Sequence, residues 1–311
     1  MNFKDFSKKF KRGLARRAFR VSSLIIKILP EKAMYGFALG MARMGYWLAV
    51  KQRRIALESL TIAFGQEKSP REIKALAKEC FMIMAKGMVE LIYLMEHPRL
   101  IKDKVKISGR ENLGAAFKEG KGVIGVSAHF GSFPLMLLKL VQEGIKTNAI
   151  IRFARDEKME QEFQEQRTRL GLNSIYSTPR KACVDKSIRA LRNNEFLFIP
   201  LDQNFGSGGV FVDFFGRQAA TATGPVIFAQ RTGAPILPMF IVREKDDTHR
   251  IIIEPALHIE EKDNNEATIR HNISRITKII ETYIRRYPQE WGWIHRRWKS
   301  RPVDSYNLKG E

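Results

Sequence analysis

The chain has 311 residues, enough to bury one sizeable core, and its 44% hydrophobic and 28% charged residues exclude a disordered chain. Its 54 Lys and Arg against 33 Asp and Glu give a formal net charge of +21, which favours anionic partners: a phospholipid surface, a phosphorylated glycolipid, an acidic carrier protein or nucleic acid. Two cysteines are too few for a disulfide framework and no Cys/His cluster has zinc spacing, so we expect a reducing location facing the cytosol and no metal site.

The first twenty residues carry eight Lys and Arg and a single Asp. Phe3, Phe6, Phe10 and Leu14 recur at spacings of three and four, which places them on one face of a helix. A basic helix with an aromatic stripe favours binding to an anionic membrane surface over packing of that stripe on the protein's own domain. We therefore predict that the amino terminus binds a membrane.

Two apolar segments follow, at 18–29 and 33–50, and each is interrupted by basic residues. Either is marginal for crossing a bilayer, which needs about 20 predominantly apolar residues. Three glycines at near-helical spacing indicate close packing of helices: Gly36, Gly40 and Gly45. We expect a hydrophobic hairpin or anchor that enters the bilayer, and we divide the chain into an anchoring region, 1–50, and one globular domain, 51–311.

A long helix is predicted from Ser69 to about Met95. Ser69, Pro70 and Glu72 have the pattern of a capping box with proline in the first turn. An apolar face follows at helical spacing and comprises Ile73, Leu76, Ala77, Cys80, Met84 and Met88. Glu90 lies on the same helix, and we predict that it is a surface or capping charge.

From residue 105 onward, predicted strands alternate with predicted helices. The strands are short and mostly apolar, and they cover 105–109, 123–126, 147–153, 174–176 and 195–201. Such alternation favours parallel strands with helices on both faces of the sheet. We predict an α/β fold whose mostly parallel central sheet is flanked by helices, preceded by an amino-terminal helical region.

His129 follows the buried strand 123–126 by three residues. Pro134 suits the first turn of the next helix, so the histidine lies in a tight turn that faces a helix start. Open α/β sheets bind their ligands at the carboxyl ends of such strands. A neutral imidazole placed there can take the proton from a hydroxyl that attacks an ester or thioester. The alternative is that His129 only caps the strand.

Two other polar residues end predicted strands. Arg152 ends the strand after His129, where it can bind a phosphate or carboxylate of a substrate or form a surface ion pair. Asp202 follows strand 195–201 and is our candidate for a carboxylate that orients the His129 imidazole. It could instead cap the glycine-rich loop 206–209. Asp213 is a rival candidate, but its direction depends on the unknown register of its strand.

The segment from Val210 to Gly224 combines aromatic residues with a set of anion-binding groups. Phe211, Phe214 and Phe215 belong either to the core or to the walls of an acyl-chain groove. A cation, hydroxyls and backbone N–H groups precede the helix that starts near Pro225, and they come from Gly216, Arg217, Thr221, Thr223 and Gly224. We predict an anion site there, at the start of that helix.

The carboxyl-terminal segment 287–299 alternates aromatic and basic residues. Trp291, Trp293 and Trp298 beside Arg and Lys suit a membrane interface, because indole has an apolar body and one polar N–H. They could equally stack on nucleic acid bases, although no nucleic-acid-binding motif is visible. We expect His295 in this segment to be structural.

Several of these segments occur together in one known family. The set resembles the bacterial lipid A biosynthesis lauroyl/myristoyl acyltransferases, a branch of the lysophospholipid acyltransferase superfamily, in order and approximate spacing from about Arg53 to Trp298. The segments that carry it are His129-Phe130-Gly131-Ser132-Phe133, Leu201-Asp202-Gln203, Gly209-Val210-Phe211-Val212-Asp213-Phe214-Phe215-Gly216, Thr223-Gly224-Pro225 and Arg231-Thr232-Gly233-Ala234-Pro235. The family's glycerolipid acyltransferase-like fold agrees with the predicted sheet.

The resemblance implies an O-acyltransferase domain over 51–311. It acts without a cofactor or metal at the cytoplasmic face of the bacterial inner membrane, transfers from acyl-carrier protein or acyl-CoA, and has a lipid A precursor as acceptor. His129 would be the base, and the expected substrate-binding residues are Arg152, Gln203, Phe211, Phe215, Gly216, Arg217 and Thr223. An anionic membrane surface is an expected partner and nucleic acid is not.

One residue departs from the family's pattern. The family's motif places an acid five positions after the histidine, and this position holds Pro134 here. Either another carboxylate, for which Asp202 is our choice, supports His129, or the protein is a weakened relative. The alternatives to lipid A acylation are acylation of a lysophospholipid or another glycolipid, and a non-catalytic basic protein that binds membranes.

Overall fold

The computed structural model describes residues 3–154 and 156–302, without the side chains of residues 3–12, 14, 15 and 207. The α-helices are α1 (Phe3–Ile28), α2 (Glu31–Leu48), α3 (Val50–Phe64), α4 (Pro70–Glu96), α5 (Ile101–Lys104), α6 (Arg110–Lys118), α7 (Phe133–Gln142), α8 (Glu157–Arg169), α9 (Arg180–Arg192), α10 (Gly224–Thr232) and α11 (Asn265–Arg286). The strands are β1 (Val105–Ser108), β2 (Val123–Ser127), β3 (Thr147–Ile151), β4 (Leu172–Tyr176), β5 (Phe196–Pro200), β6 (Val210–Phe214), β7 (Arg217–Thr221), β8 (Ile236–Arg243) and β9 (His249–Ile253). Short 3-10 helices cover Pro98–Leu100, Gly206–Gly208 and Pro288–Glu290.

Seven strands form one central sheet in the order β1-β9-β8-β2-β5-β3-β4. Each pair in it is parallel except β8 with β9, which are joined by a short charged loop and run antiparallel. Strands β6 and β7 form a separate antiparallel hairpin. The predicted α/β fold with a mostly parallel sheet flanked by helices is confirmed.

Strand β2 lies at the centre of the sheet and is buried along its whole length. Ile124 and Val126 face a core that includes α3, α9, α10 and α11, whereas Val123 faces the core of α6 and α7. This alternation is the two-residue repeat of a strand whose faces are both covered. Gly125 is required between them, because a Cβ there would lie 2.1 Å from the ring of Phe196.

The amino-terminal helices α1 and α2 pack on α4. Their shared core comprises Ile26, Met34, Ala38, Val89 and Ile92. None of the described helices is long and apolar enough to cross a bilayer. The predicted stripe of Phe3, Phe6, Phe10 and Leu14 falls on side chains outside the described ones.

The glycines of α2 lie away from its packed face. Met34, Ala38, Ala42 and Tyr46 are the buried residues of this helix, spaced by four. A Cβ added at Gly36, Gly40 or Gly45 would meet nothing within 4 Å. The prediction that these glycines mediate close helix packing is wrong, because the face of alanine and larger apolar residues packs instead.

Helix α4 begins as predicted, with Ser69 and Glu72 forming a reciprocal capping box. Its predicted apolar face is buried from Ile73 to Cys80, but Met88 is 52% exposed. The prediction for Glu90 is wrong, since Glu90 is fully buried. Its carboxylate accepts hydrogen bonds from the donors of residues on α2, β8 and β9, namely Tyr35, Arg243 and His249.

These partners also decide the charge of Glu90. Burial alone would raise the pKa of this carboxyl, but the hydrogen bonds and charges of His249 and Arg243 outweigh burial and lower the pKa to about 2. The carboxylate therefore stays ionised inside the protein. It links helices α2 and α4 to the antiparallel pair β8 and β9 of the sheet.

The carboxyl-terminal segment runs into the core. Trp291 and Trp293 are fully buried, as is Arg297, so the prediction of a membrane interface or a base-stacking surface is wrong for these two tryptophans. An isolated antiparallel bridge joins Trp291 to Phe130 beside the end of β2. The indole N–H groups find partners inside the protein, which removes the reason for them to lie at an interface.

Candidate active site

The turn after β2 places His129 at the carboxyl end of the central strand. Ala128 and Phe130 on either side of the histidine are buried, and α7 begins four residues after His129. Gly131 has a φ of +55°, and a Cβ there would lie 2.1 Å from the carbonyl oxygen of Ile241. The tight turn therefore needs glycine at this position.

The imidazole of His129 is paired with the carboxylate of Asp202. His129 Nδ1 lies 2.8 Å from Asp202 Oδ1, although 73 positions separate the two residues. Strands β2 and β5 are parallel neighbours, and the backbone N–H of Leu201 donates to the carbonyl of Ser127, which aligns the two strand ends. The predicted contact between His129 and Asp202 is confirmed.

The electrostatics of this pair follow from burial and charge. Burial by itself would lower the pKa of His129, but the charge and hydrogen bond of Asp202 outweigh it, so the His129 pKa is raised. Burial would raise the pKa of Asp202, yet His129 and the indole of Trp291 lower it to about 2. An ionised carboxylate only accepts hydrogen bonds, so Nδ1 carries the proton and Nε2 has a free lone pair.

Gln203 lies on the other side of the imidazole. Its amide nitrogen is 3.1 Å from His129 Nε2 and donates to that lone pair. An acceptor hydroxyl that binds to Nε2 would take the place of this amide. The position next to Asp202 thus brings a second polar side chain to the reactive nitrogen.

Arg297 supports the loop that carries Asp202 and Gln203. Its guanidinium donates to the carbonyls of Gln203 and Ala220 and to the hydroxyl of Thr221. Burial lowers the pKa of Arg297 to about 10, while the charge of Asp202 opposes this shift, so the side chain is a cation at neutral pH. The role of Arg297 was not predicted, since an Arg within a basic run gives no sign of burial.

A cavity of about 270 Å³ opens beside His129. Its walls are mostly apolar, and its lining residues are Ile83, Met84, Gly87, Met88, Leu91, His129, Gly131, Ser132, Phe133, Pro134, Glu290, Gly292, Ile294 and His295. Neither the α4 wall nor Glu290 was predicted to lie here, because their approach to His129 depends on long-range packing. The His295 ring lies 5.4 Å from the His129 ring. The pKa of His295 is lowered, mainly by burial and to a smaller extent by the charge of His129.

The remaining predicted residues lie apart from this cavity. Arg152 is exposed directly after β3, and β5 separates β3 from β2 in the sheet. Phe211 is half-buried on β6. Phe215 is buried at the turn between β6 and β7, where its ring contacts Phe64 and Trp293. Phe215 is thus a core residue and not the wall of an acyl groove beside His129.

The predicted anion site is not assembled as a unit. Gly216 and Arg217 lie at the turn of the β6–β7 hairpin, whereas Thr221 and Thr223 lie at its other end. Strand β7 has five residues, which span about 13 Å, so Arg217 and Thr223 do not converge. The hydroxyl of Thr221 is occupied by Arg297 and the carbonyl of Ala219.

Asp213 is excluded as the partner of His129. It is exposed, and its carboxylate accepts the backbone N–H of Gly216 in the same hairpin turn. Within the described ranges, no cluster of three or more His, Cys, Asp or Glu could hold a metal ion. The described residues bring together an oriented imidazole and an apolar cavity.

Comparison with known proteins gives a consistent result. The sequence model of the family described as bacterial lipid A biosynthesis acyltransferase matches residues 11–300. The chain is 28% identical over 270 residues to the lipid A biosynthesis palmitoleoyltransferase of Escherichia coli strain K12, covering 83% of this chain and 82% of that protein. It is 25% identical over 284 residues to the lipid A biosynthesis lauroyltransferase of the same strain, covering 88% of each.

A third relative has another name. The phosphatidylinositol mannoside acyltransferase of Mycobacterium tuberculosis strain CDC 1551 / Oshkosh is 29% identical to this chain over 147 residues. The match covers 46% of each protein. It is therefore a partial likeness, whereas the two proteins from Escherichia coli match over most of their length.

Proposed function

The chain belongs to the bacterial lipid A biosynthesis acyltransferase family and is a lipid acyltransferase, and from this premise we propose that it transfers a fatty acyl chain from an acyl thioester to a hydroxyl of a lipid A precursor. The observation that carries the proposal is the 2.8 Å pair of His129 and Asp202, with His129 lining an apolar cavity. An oriented base and a space for hydrocarbon are two features that suit acyl transfer from a thioester.

His129 is the general base. Its Nε2 takes the proton from the acceptor hydroxyl while the hydroxyl oxygen attacks the thioester carbonyl carbon. When the tetrahedral intermediate collapses, the carbon–sulfur bond breaks, and the thiolate leaves and receives the proton from Nε2. Asp202 holds the imidazole in the required tautomer and stabilises the imidazolium that forms between these steps.

Asp202 takes the role of the acid that the family's motif places five residues after the histidine. Pro134 occupies that position here and cannot accept a hydrogen bond from the ring. Asp202 meets the need from the end of β5, with one oxygen on His129 and the other on Trp291. We therefore regard Pro134 as the sign of a relocated carboxylate and not of a lost activity.

The donor that we propose is acyl-carrier protein, with acyl-CoA as the alternative. A chain with a net charge of +21 attracts an acidic carrier. For the acceptor, exposed Arg152 at the carboxyl edge of the sheet is available to bind a phosphate group. Gln203 beside Nε2 is the candidate that contacts the acceptor hydroxyl.

The protein acts, in this proposal, at the cytoplasmic face of the inner membrane. Large apolar side chains are exposed on α1, at the end of α2 and at the start of α3: Val21, Leu24, Ile25, Ile28, Met44, Trp47, Leu48 and Val50. Apolar side chains beside a basic amino terminus favour an anionic lipid surface. We assign residues 1–50 to membrane anchoring and 51–311 to the acyltransferase domain.

Two measurements test the proposed function. Total lipids from cells with and without the gene are compared by mass spectrometry, and we expect a lipid A species to lose one acyl chain when the gene is absent. Purified protein is then offered acyl-carrier-protein and CoA thioesters, with a lipid A precursor, a lysophospholipid or a glycolipid as acceptor. Transfer to a lysophospholipid in preference would reassign the acceptor. Membrane binding without acyl transfer to any lipid would indicate instead a non-catalytic protein that binds membranes.

A further inference from the structure

Glu290 lies in the cavity wall because of the way its segment passes the turn of His129. The N–H of Gly131 donates to the carbonyl of Glu290, and the N–H of Gly292 donates to the carbonyl of His129. Glu290 is the last residue of a short 3-10 helix, and the backbone becomes extended at Trp291. The indole of Trp291 contacts Asp202, whereas Glu290 and Gly292 line the cavity.

The carboxyl of Glu290 is buried without a counter-ion. It is 6% exposed, and one oxygen accepts the backbone N–H of Arg243 at 3.2 Å. The guanidinium of Arg243 is bound to Glu90 and Asp247 instead. Among the ion pairs of the described residues, none includes Glu290, so its charge would have to be carried in a mostly apolar space.

The surroundings of Glu290 favour its neutral form. Burial is the main cause that raises its pKa to about 7, Glu79 and Glu90 on α4 add to this shift, and Arg243 on β8 opposes it. His129 and His295 face the same cavity. Around neutral pH a large fraction of Glu290 is therefore a carboxylic acid, which can donate a hydrogen bond.

Three backbone positions of the cavity wall cannot donate to a substrate carbonyl. The N–H groups of Gly131 and Gly292 are used inside the protein, and Pro134 has none. A thioester carbonyl oxygen accepts hydrogen bonds but cannot donate, so it suits a protonated carboxyl. The acceptor hydroxyl has to give its proton to His129 and needs an acceptor instead. A protonated Glu290 therefore suits the thioester carbonyl of the acyl donor and not the acceptor hydroxyl.

We propose that Glu290 contacts the acyl donor in this cavity and donates a hydrogen bond from its protonated carboxyl to the thioester carbonyl oxygen, an inference that rests on the proposed acyl transfer. The hydrogen bond polarises the carbonyl and stabilises the negative charge that develops on its oxygen when the hydroxyl attacks. Glu290 is then a catalytic residue in the cavity that Pro134 also lines.

A pH profile of the full-length protein tests the assignment. In the wild type, kcat/KM should fall as the pH rises above about 7, because ionised Glu290 cannot donate. Glu290→Gln keeps the size and an N–H donor but cannot ionise, so this alkaline fall should disappear. Glu290→Met keeps the volume without a donor and should lower kcat/KM on the order of 10²-fold.

Glu281→Gln is the matched control. Glu281 is also a buried carboxylate that accepts a backbone N–H, from Phe215 at 2.9 Å, but it lies on α11 away from the cavity. Its variant should keep the wild-type alkaline fall. An unchanged alkaline fall in Glu290→Gln would overturn the proposal, and so would wild-type kcat/KM in Glu290→Met. If Glu290→Met does not fold, the profile of the isosteric Gln variant still decides.

A binding measurement separates this inference from the proposed function. The probes are two pantetheine derivatives with a twelve-carbon chain: a ketone analogue of the thioester and the matching alkyl thioether, which lacks the carbonyl oxygen. The wild type should bind the ketone more tightly than the thioether, on the order of tenfold at pH 6, because the ketone gains one hydrogen bond. Glu290→Met should bind the two probes with similar affinity. Equal preference in both proteins would overturn the role of Glu290. A ketone preference without acyl transfer to any lipid would overturn only the proposed function.

Discussion

The indole N–H of Trp291 donates a 2.7 Å hydrogen bond to Asp202 Oδ2, while the other carboxylate oxygen faces His129 Nδ1. Both oxygens of this buried carboxylate are therefore held by donors from different parts of the chain. The plane of the carboxylate is fixed, and with it the orientation of the imidazole. A residue 89 positions from Asp202 thus controls the direction in which Nε2 points.

Replacing Trp291 tests this arrangement. Trp291→Phe leaves Oδ2 without its donor in a buried place, so we expect a loss of stability of about 1–3 kcal/mol. We also expect kcat to fall more than KM rises, because the base is less well oriented. Denaturant unfolding and steady-state kinetics measure the two effects. Trp298→Phe, which removes a hydrogen bond to Phe214 outside the pair, is the control and should change kcat little.

Removing the base should abolish most of the turnover. His129→Ala is expected to lower kcat by a factor on the order of 10² to 10⁴, the usual contribution of a positioned base. The alanine variant also leaves Asp202 without the imidazole donor, so His129→Gln, whose amide can still donate to Asp202, is the better-folded companion. Circular dichroism establishes folding, and near-wild-type turnover in the glutamine variant would remove His129 from the mechanism.

Asp202→Asn should impair both the rate and its pH dependence. We expect kcat to fall by about 10²- to 10⁴-fold, since a neutral amide neither fixes the tautomer nor stabilises the imidazolium. Burial lowers the His129 pKa and Asp202 more than compensates, so loss of the charge should lower that pKa. The acid limb of kcat/KM, where His129 becomes protonated, then moves to lower pH. Asp213→Asn, at an exposed hairpin position, is the control; an acid limb that stays in place in Asp202→Asn would contradict the prediction.

Glu290 should lower the stability of the folded protein at alkaline pH. Its pKa is about 7 in the folded state and near its ordinary value of 4.5 when unfolded, so the unfolded state releases the proton first. Stability is then lost as the pH rises from about 4.5 to about 7. Glu290→Gln removes this loss, and it should stabilise the protein at pH 8 relative to pH 5 by on the order of 2 to 3 kcal/mol. Denaturant midpoints at the two pH values check this, and equal gains at both would contradict it.

Membrane binding should depend on the exposed apolar side chains of α1 and α2. Deletion of 1–50 is a poor test, because it would also uncover Val89 and Ile92 on α4. Leu24→Ser with Trp47→Ser changes two side chains that are 63% and 73% exposed, so the fold should remain intact. We expect weaker co-sedimentation with anionic vesicles in moderate salt. The control is Phe205→Ser, 49% exposed elsewhere on the chain, and an equal loss in both would contradict a specific surface.

Local patterns were sufficient for the sheet and for the central pair of the site. The alternation of strands and helices predicts parallel strands, and the carboxyl ends of parallel strands meet at one edge. Asp202 was therefore predicted beside His129 without knowledge of the strand order, although a capping role for Asp202 was equally open. The capping box of Ser69 and Glu72 is a similar case, since both of its partners lie within one helical turn.

Patterns whose partners lie far apart in sequence were misleading. Glu90 was predicted to be on the surface, but Arg243 and His249, more than 150 positions away, allow it to be buried as a charge. The segment around Trp291 has the composition of an interface, yet the indole N–H of Trp291 donates to the buried carboxylate of Asp202. Arg217 and Thr223 are close in sequence, but an extended strand separates them.

The bridge between Phe130 and Trp291 also has a consequence for the order in which the protein becomes active. The central sheet is complete at Ile253 and the last long helix ends at Arg286, whereas Glu290, Trp291 and Arg297 lie beyond both. During synthesis the chain emerges from its amino terminus, and structure forms in that order. A nascent chain with a finished sheet thus still has an unsupported His129. In the proposed mechanism turnover requires these residues, so a stop codon after residue 286 should abolish activity.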